Sequence, residues 1–265
     1  MFEPFVLVLI FGLLSIKDAK KYWEDRAIHP FSGTDETRSE TKYDVEQQKF
    51  IRSLVHNSSS CILKTDLWNE GIRKGIFDVN LFKNSFFVGI DISKEVCKKA
   101  KSKHDWIQTI NSDIKFLPFK ENTFNTLLDL STSDHVKFSN FQNCIQQYSR
   151  ILKPQGELVL LFNKFNLMQK FIQVITRKLH AYTYCFSYDF HPFLVKKTIK
   201  KSFLIVHSRS YGKTFIRCMR KFIVLEKIQR FGILHRTYLI KGYNKKRVGV
   251  FTLNTLGKTA HISIK

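Results

Sequence analysis

The stretch FFVGIDISKEVCKKAKSK, Phe86 to Lys103, holds both halves of a repeating structural unit. Its first part is a nearly continuous apolar run that stops at Asp91, the pattern of a strand covered on both faces. Ser93 follows as a helix N-cap, and Val96, Cys97 and Ala100 then fall on one helical stripe with lysines on the opposite side. A buried strand feeding directly into an amphipathic helix is the building block of a parallel α/β sheet.

The same alternation extends in both directions from this unit. CILKTDL precedes it as a first strand, with SFFVGIDI (85–92) as the second; WIQTINSD (106–113), NTLLDLS (125–131) and ELVLLF (157–162) follow as the third, fourth and fifth. Between the last two, Phe141, Ile145, Tyr148 and Leu152 stand at helical spacing, with Pro154 and Gly156 ending the helix. Upstream, Val45, Phe50, Ile51, Leu54 and Val55 form one helical stripe leading into the first strand. The predicted fold is a doubly wound, mostly parallel α/β sheet with helices on both faces. Three segments are expected: an apolar helix and polar loop over 1–44, the α/β domain over 45–212, and a basic extension over 213–265. In the last hundred residues the patterns read as a basic helix (166–180), a strand (202–210), a second basic helix (220–236) and a strand (247–254). These either complete the sheet or form an appendage.

The net charge of +22 is unevenly spread. Residues 1–150 hold 21 basic against 19 acidic side chains, whereas residues 151–265 hold 23 against 3. Such asymmetry marks a surface that meets phosphate, acidic lipid or an anionic substrate, unless it reflects a biased composition alone. The five cysteines are odd in number and never form C-x-x-C, which suggests neither a disulfide framework nor a metal site and fits a reducing, cytoplasmic setting. The apolar run from Phe5 to Leu14 is too short to span a membrane. Followed by Lys17, Lys20 and Lys21, it reads as a buried helix or as a segment lying peripherally on an anionic membrane.

In an open parallel sheet, ligands bind beyond the carboxyl ends of the strands. Asp66, Asp91 and Asp113 end the first three strands, and Asp129 and Asp134 bracket the end of the fourth. A carboxylate at the end of the second strand accepts hydrogen bonds from both hydroxyls of a ribose, a task suited to its paired oxygens.

With these residues in view, the chain resembles the class I S-adenosylmethionine-dependent methyltransferases, whose fold is Rossmann-like. FFVGIDISKEVCKKAKSK is similar to the family's second-strand motif, INSDIKFLPFKENTFNTLLDLSTSDHV to the signature around strand four, and YSRILKPQGELVLL to the R-x-L-K-P-x-G-x-L motif. The resemblance covers roughly residues 45–165. It implies S-adenosylmethionine as cofactor, with Asp91 on the ribose hydroxyls, Ile92 packed on the adenine, Asp113 accepting from the adenine amino group with Ile114 beside it, and Ser131 near the methyl donor. His135 falls where a substrate-facing residue is found, and its imidazole suits deprotonation of a hydroxyl near neutral pH.

The departure from the family lies at the first strand, where G-x-G is expected. ILKTDLWNEG instead carries Trp68 at a glycine position whether Asp66 or Lys64 is aligned with the family's acidic residue. An indole there either fills the cofactor's volume or swings the turn outward, leaving Asp66 or Glu70 to meet the methionine ammonium; Gly71 and Gly75 are the nearest glycines that could relocate the turn. The expected activity is methyl transfer to a small, glycan-like or lipid-linked anionic acceptor. The alternatives are a methyltransferase-like binding module without activity and an RNA methyltransferase, nucleic acid ranking lower because the aromatics of RKFIVLEKIQRF fall on its apolar stripe.

Overall fold

The computed structural model describes residues 19–29, 61–73, 85–165, 188–211 and 237–246, with isolated positions 49, 53, 75 and 82. The apolar run 5–14, the helices read over 166–180 and 220–236 and the strand read over 247–254 lie outside the described residues, and of the helix read over 45–55 only Lys49 and Ser53 are described, both helical.

In chain order the elements are α1 (Ala19–Ile28), β1 (Cys61–Lys64), α2 (Trp68–Ile72), β2 (Phe86–Asp91), α3 (Lys94–Lys103), β3 (Ile107–Asn111) and β4 (Phe124–Leu130). A 3-10 turn (Ser133–His135) is followed by α4 (Phe138–Ile151), β5 (Leu152–Asn163), α5 (Pro192–Ile199), β6 (Phe203–Tyr211) and β7 (Thr237–Asn244). The seven strands among the described residues form one sheet in the order β3-β2-β1-β4-β5-β7-β6. β1 to β5 are parallel, and β7 runs antiparallel between β5 and β6. The winding reverses at β1, so β1 and β4 start the two halves and their carboxyl ends border the crevice where such sheets bind ligands.

The apolar runs serve both faces. Leu63, Val88, Ile90, Leu127, Leu158 and Leu160 enter one core with α4 and α5. Ile62, Phe87, Leu128, Val159 and Leu161 enter the other with α3 and with Ala27 of α1. Each such side chain contributes about 1.5–3 kcal/mol when fully buried, and the continuous apolar sequence follows from a sheet with no exposed face.

Two elements differ from the pattern reading. Pro154 and Gly156 lie inside β5 instead of in a separate turn, with Gln155 in a left-handed conformation (φ 59°) and the strand register shifting opposite Phe124 and Thr126. TYLIKGYN forms β7 although its sequence alternates poorly. Lys241, on a buried strand, pairs with Glu157 of β5 at 3.1 Å, which lets a charged residue occupy an interior position. Thus a strand from the segment read as a basic extension lies inside the sheet. The sequence pattern predicts no separate element at α1. Its sequence, AKKYWEDRAI, is weakly amphipathic, and it is held by tertiary contacts.

Gly89, in the middle of β2, makes room for the turn after β1: a Cβ there would lie 2.3 Å from Leu67 Cδ2. Leu67 is wholly buried, so the turn would have to move. Gly89→Ala is expected to cost about 1–3 kcal/mol, read as a lower Tm in thermal denaturation. An unchanged Tm would mean that this turn shifts freely.

Candidate functional site

The first strand ends on Lys64, whose ammonium is completely buried. It donates to the Asp66 carbonyl at 2.6 Å, to Asp66 Oδ1 at 3.1 Å and to Glu70 Oε2 at 2.9 Å. Burial disfavours the charged ammonium, but the two carboxylates outweigh it and leave the pKa of Lys64 raised. The group therefore carries two negative charges against one positive. Glu70 is 1% exposed and Asp66 16%, so Asp66 is the carboxylate that reaches the surface of the turn. Both sequence-predicted acids are thus brought together, joined by a lysine whose role the motif reading missed.

This network turns the chain where glycines would otherwise be required. α2 begins directly at Trp68, and Gly71 N–H bonds the Leu67 carbonyl at 2.7 Å. The Trp68 indole is half-buried, packing against the core and standing edge-on to Trp23 of α1 with ring centroids 5.4 Å apart. Gly71 is helical and allows close packing of α2 on α3, since a Cβ would meet the Val96 carbonyl at 2.7 Å. Gly75 takes φ +90°, beyond the end of α2.

Asp91 closes β2 and is tied to the same turn. Its Oδ2 accepts from Leu67 N–H at 3.0 Å and its Oδ1 from Ser93 N–H at 2.9 Å. Burial pushes its pKa up to about 7 despite these two bonds. Ile92 is half-buried beside it, and Asn111 Nδ2 donates to the carbonyls of both Asp91 and Ile92 at 2.9 Å. Asp113 stands at the end of the next strand, partly exposed, accepting from Lys115 N–H at 2.9 Å and pairing with its ammonium at 3.2 Å. Ile114 packs into the core instead of standing at the surface.

At the end of β4, Asp129 is buried and organises the following turn. Its Oδ1 accepts from Thr132 N–H at 2.9 Å and Ser133 N–H at 3.2 Å, and Tyr148 of α4 donates to Oδ2 at 2.9 Å. Burial raises its pKa to about 6, with those bonds opposing. Ser131 is forced to φ 68°, a strained value for a residue with a side chain, and its N–H bonds Leu161 at 2.8 Å. Thr132 Oγ1 donates to Asp66 Oδ2 at 3.2 Å and accepts from Thr65 Oγ1 at 2.9 Å, which links the two turns.

His135 ends the 3-10 turn, 22% exposed, with Nε2 3.9 Å from Asp134 Oδ1 and its ring 4.8 Å from Trp23. Trp23 thus touches both Trp68 and His135. Its neighbour Glu24 accepts from Ser93 Oγ at 2.5 Å and Glu95 N–H at 3.3 Å at the start of α3. α1 therefore crosses from the end of β2 to the end of β4. Neither Trp23 nor Glu24 carried a motif, and only the fold reveals them.

The comparisons agree with this architecture. Residues 71–160 match the methyltransferase domain family. Over that segment the chain is similar to methyltransferase domains, and the segment lies in a sheet with the Rossmann-like methyltransferase fold. It is 35% identical over 92 residues to an uncharacterized protein of Methanocaldococcus jannaschii, a match that spans 34% of this chain and 38% of that relative. Among solved structures it is similar to a putative methyltransferase of Haloferax volcanii in complex with the Trm112 activator (TM-score 0.60, 13% identity, covering 88% of this chain and 99% of that one). It also resembles the N-methyltransferase NodS of Bradyrhizobium japonicum with S-adenosyl-L-homocysteine (TM-score 0.56, 11% identity, 86% and 100%). Among the described residues no helix is long and apolar enough to cross a membrane.

Two outcomes follow from the electrostatics. Lys64→Met leaves two adjacent carboxylates without their cation and is expected to cost about 3–5 kcal/mol, measured by chemical denaturation. Asp91 and Asp129 have folded pKa values, about 7 and about 6, above the ordinary 3.8, so the native state binds more protons than the unfolded chain between those limits. The stability they contribute is full below the ordinary value and is lost as pH rises through the folded values. Tm should accordingly rise from about pH 8 to about pH 5.5, and Asp91→Asn should flatten that slope.

Proposed function

We propose that the protein transfers a methyl group from S-adenosylmethionine to an acceptor bearing an anionic group, either a small molecule or one linked to glycan or lipid. The observation that carries the reading is Asp91: a buried strand-end carboxylate with one backbone N–H on each oxygen, leaving acceptor capacity on both for two ribose hydroxyls. The donor set fits the cofactor's charges as well. Its ammonium would meet Asp66, the more accessible member of a group with one net negative charge, while the buried Glu70 serves Lys64. Ile92 would cover the adenine and Asp113 would accept from its amino group, with Ile114 supporting that side from the core.

When bound, the cofactor supplies a methyl carbon on a positively charged sulfur, open to in-line attack by a nucleophile as the carbon–sulfur electron pair passes to sulfur. The chain's own work is positioning and exclusion of water. Ser131, held at positive φ by the Asp129 turn, would line the transfer path. His135 would take the acceptor's proton at a ring nitrogen, and Trp23 against its ring limits its movement.

Calorimetric titration of the full chain with S-adenosylhomocysteine tests this. Loss of a carboxylate holding two hydroxyls should weaken binding by about 100-fold in Asp91→Ala. Trp68→Gly should weaken it too, because the indole braces the turn through Trp23. Absence of binding to the wild type at high ligand concentration would remove the proposal.

A further inference from the structure

A second polar cluster lies at the same edge of the sheet as His135 and has no part in the scheme above. β5 ends at Asn163, whose N–H donates to Asp134 Oδ2 at 2.8 Å, so Lys164 begins one residue beyond the turn that carries His135. Lys164 Nζ reaches Ser210 Oγ of β6 at 3.4 Å. Because β7 runs in the opposite sense, its start lies at this edge, with Tyr238 in register with Phe162 of β5 and Ser210 of β6. From α5, Lys196 sets its ammonium 5.2 Å from the centre of the Tyr238 ring, and Ser208 lies two residues before Ser210 on the same face of β6.

Two ammonium groups and three hydroxyls thus converge from α5, β5, β6 and β7, every one of these residues half-buried. Partial desolvation strengthens their field over that of free surface lysines. The effect is visible on the groups themselves. Burial raises the Tyr238 phenol, yet Ser208 and the positive charges of Lys196 and Lys164 overcome it and leave its pKa lowered. Burial lowers that of Lys164, with Tyr238 opposing. Such a site favours an incoming negative charge.

We propose that Lys164, Lys196 and Tyr238, with Ser208 and Ser210, form an anion-binding subsite that takes a phosphate or carboxylate group of the methyl acceptor. The assignment to the acceptor rests on the methyl-transfer reading; the binding of an anion does not.

The test is a titration of the full chain with inorganic phosphate, with and without saturating S-adenosylhomocysteine. Lys164→Gln/Lys196→Gln is compared with Lys98→Gln/Lys200→Gln, which removes the same charge from exposed positions elsewhere. The cluster variant should bind phosphate at least about tenfold more weakly, the control within about twofold of wild type, and both should keep wild-type affinity for S-adenosylhomocysteine. A separate arm with phosphatidic acid in phosphatidylcholine vesicles distinguishes a lipid headgroup from a free anion: weakening in either arm supports the site. Equal losses in the cluster and control variants, or none in the cluster variant, would overturn it. Should the double variant fail to fold by circular dichroism, Lys196→Gln and Tyr238→Phe singly give the same reading at several-fold. Failure of the wild type to bind S-adenosylhomocysteine counts against methyl transfer alone, since the phosphate arm without it still decides the subsite.

Discussion

One buried ammonium fixes the geometry of the sheet edge where the strand-end acids gather. Lys64 has no contact with water, so its charge is tolerable only with Asp66 and Glu70 held against it, and those bonds dictate the path of the chain from β1 into α2. The path then presents Leu67 N–H to Asp91 and Asp66 Oδ2 to Thr132. The ends of β1, β2 and β4 are thereby joined through hydrogen bonds that all pass through a single turn. Burial of this kind adds little net stability compared with an apolar replacement, but its directional bonds define one arrangement among many.

A glycine turn and this turn answer the same requirement by different means. Glycines allow close approach by omitting side chains; here the side chains are present but are drawn away. Glu70 is pulled inward to Lys64, and Trp68 leans on Trp23. That second contact gives α1 a role its own sequence hardly predicts. Glu24 sits at the N-terminus of α3, where unpaired N–H groups favour an anion, and Lys99 holds the Ala27 carbonyl at 2.9 Å. The helix is anchored at several points along its length, and its indole rests between the β1 turn and His135.

The parallel core was legible because its signals are local. Apolar runs, the Ser93 cap and the stripe of α4 each lie within a dozen residues, and Ser93 does accept from Val96 N–H at 3.2 Å. β7 was hidden because what admits Lys241 to a sheet interior is Glu157, more than eighty residues away. At the site, the positions of Asp66, Asp91 and Asp129 at strand ends could be read directly. Their partners could not: Tyr148 looked like one more apolar position of α4, yet its hydroxyl holds Asp129. The Lys64 triad did leave a trace. A lysine at the end of an apolar strand, followed within six residues by Asp66 and Glu70, is a charge pattern that makes sense if the three meet.

Part of the uneven distribution of charge along the chain has a place in the described fold. Nineteen of the twenty-two acidic residues belong to the first 150 positions, which build β1 to β4 and the turns that carry Asp66, Asp91, Asp113 and Asp129. The basic excess belongs to the part that supplies β5 to β7 and α5. A parallel sheet alone would scatter these late residues over both edges of the molecule. The reversed direction of β7 brings Tyr238 to the same edge of the sheet as Lys164 and the turn that carries His135. On the proposed reading, a cationic methyl donor meets Asp66 while an anionic acceptor meets Lys164 and Lys196, so opposite charges orient the two reactants at one edge of the sheet.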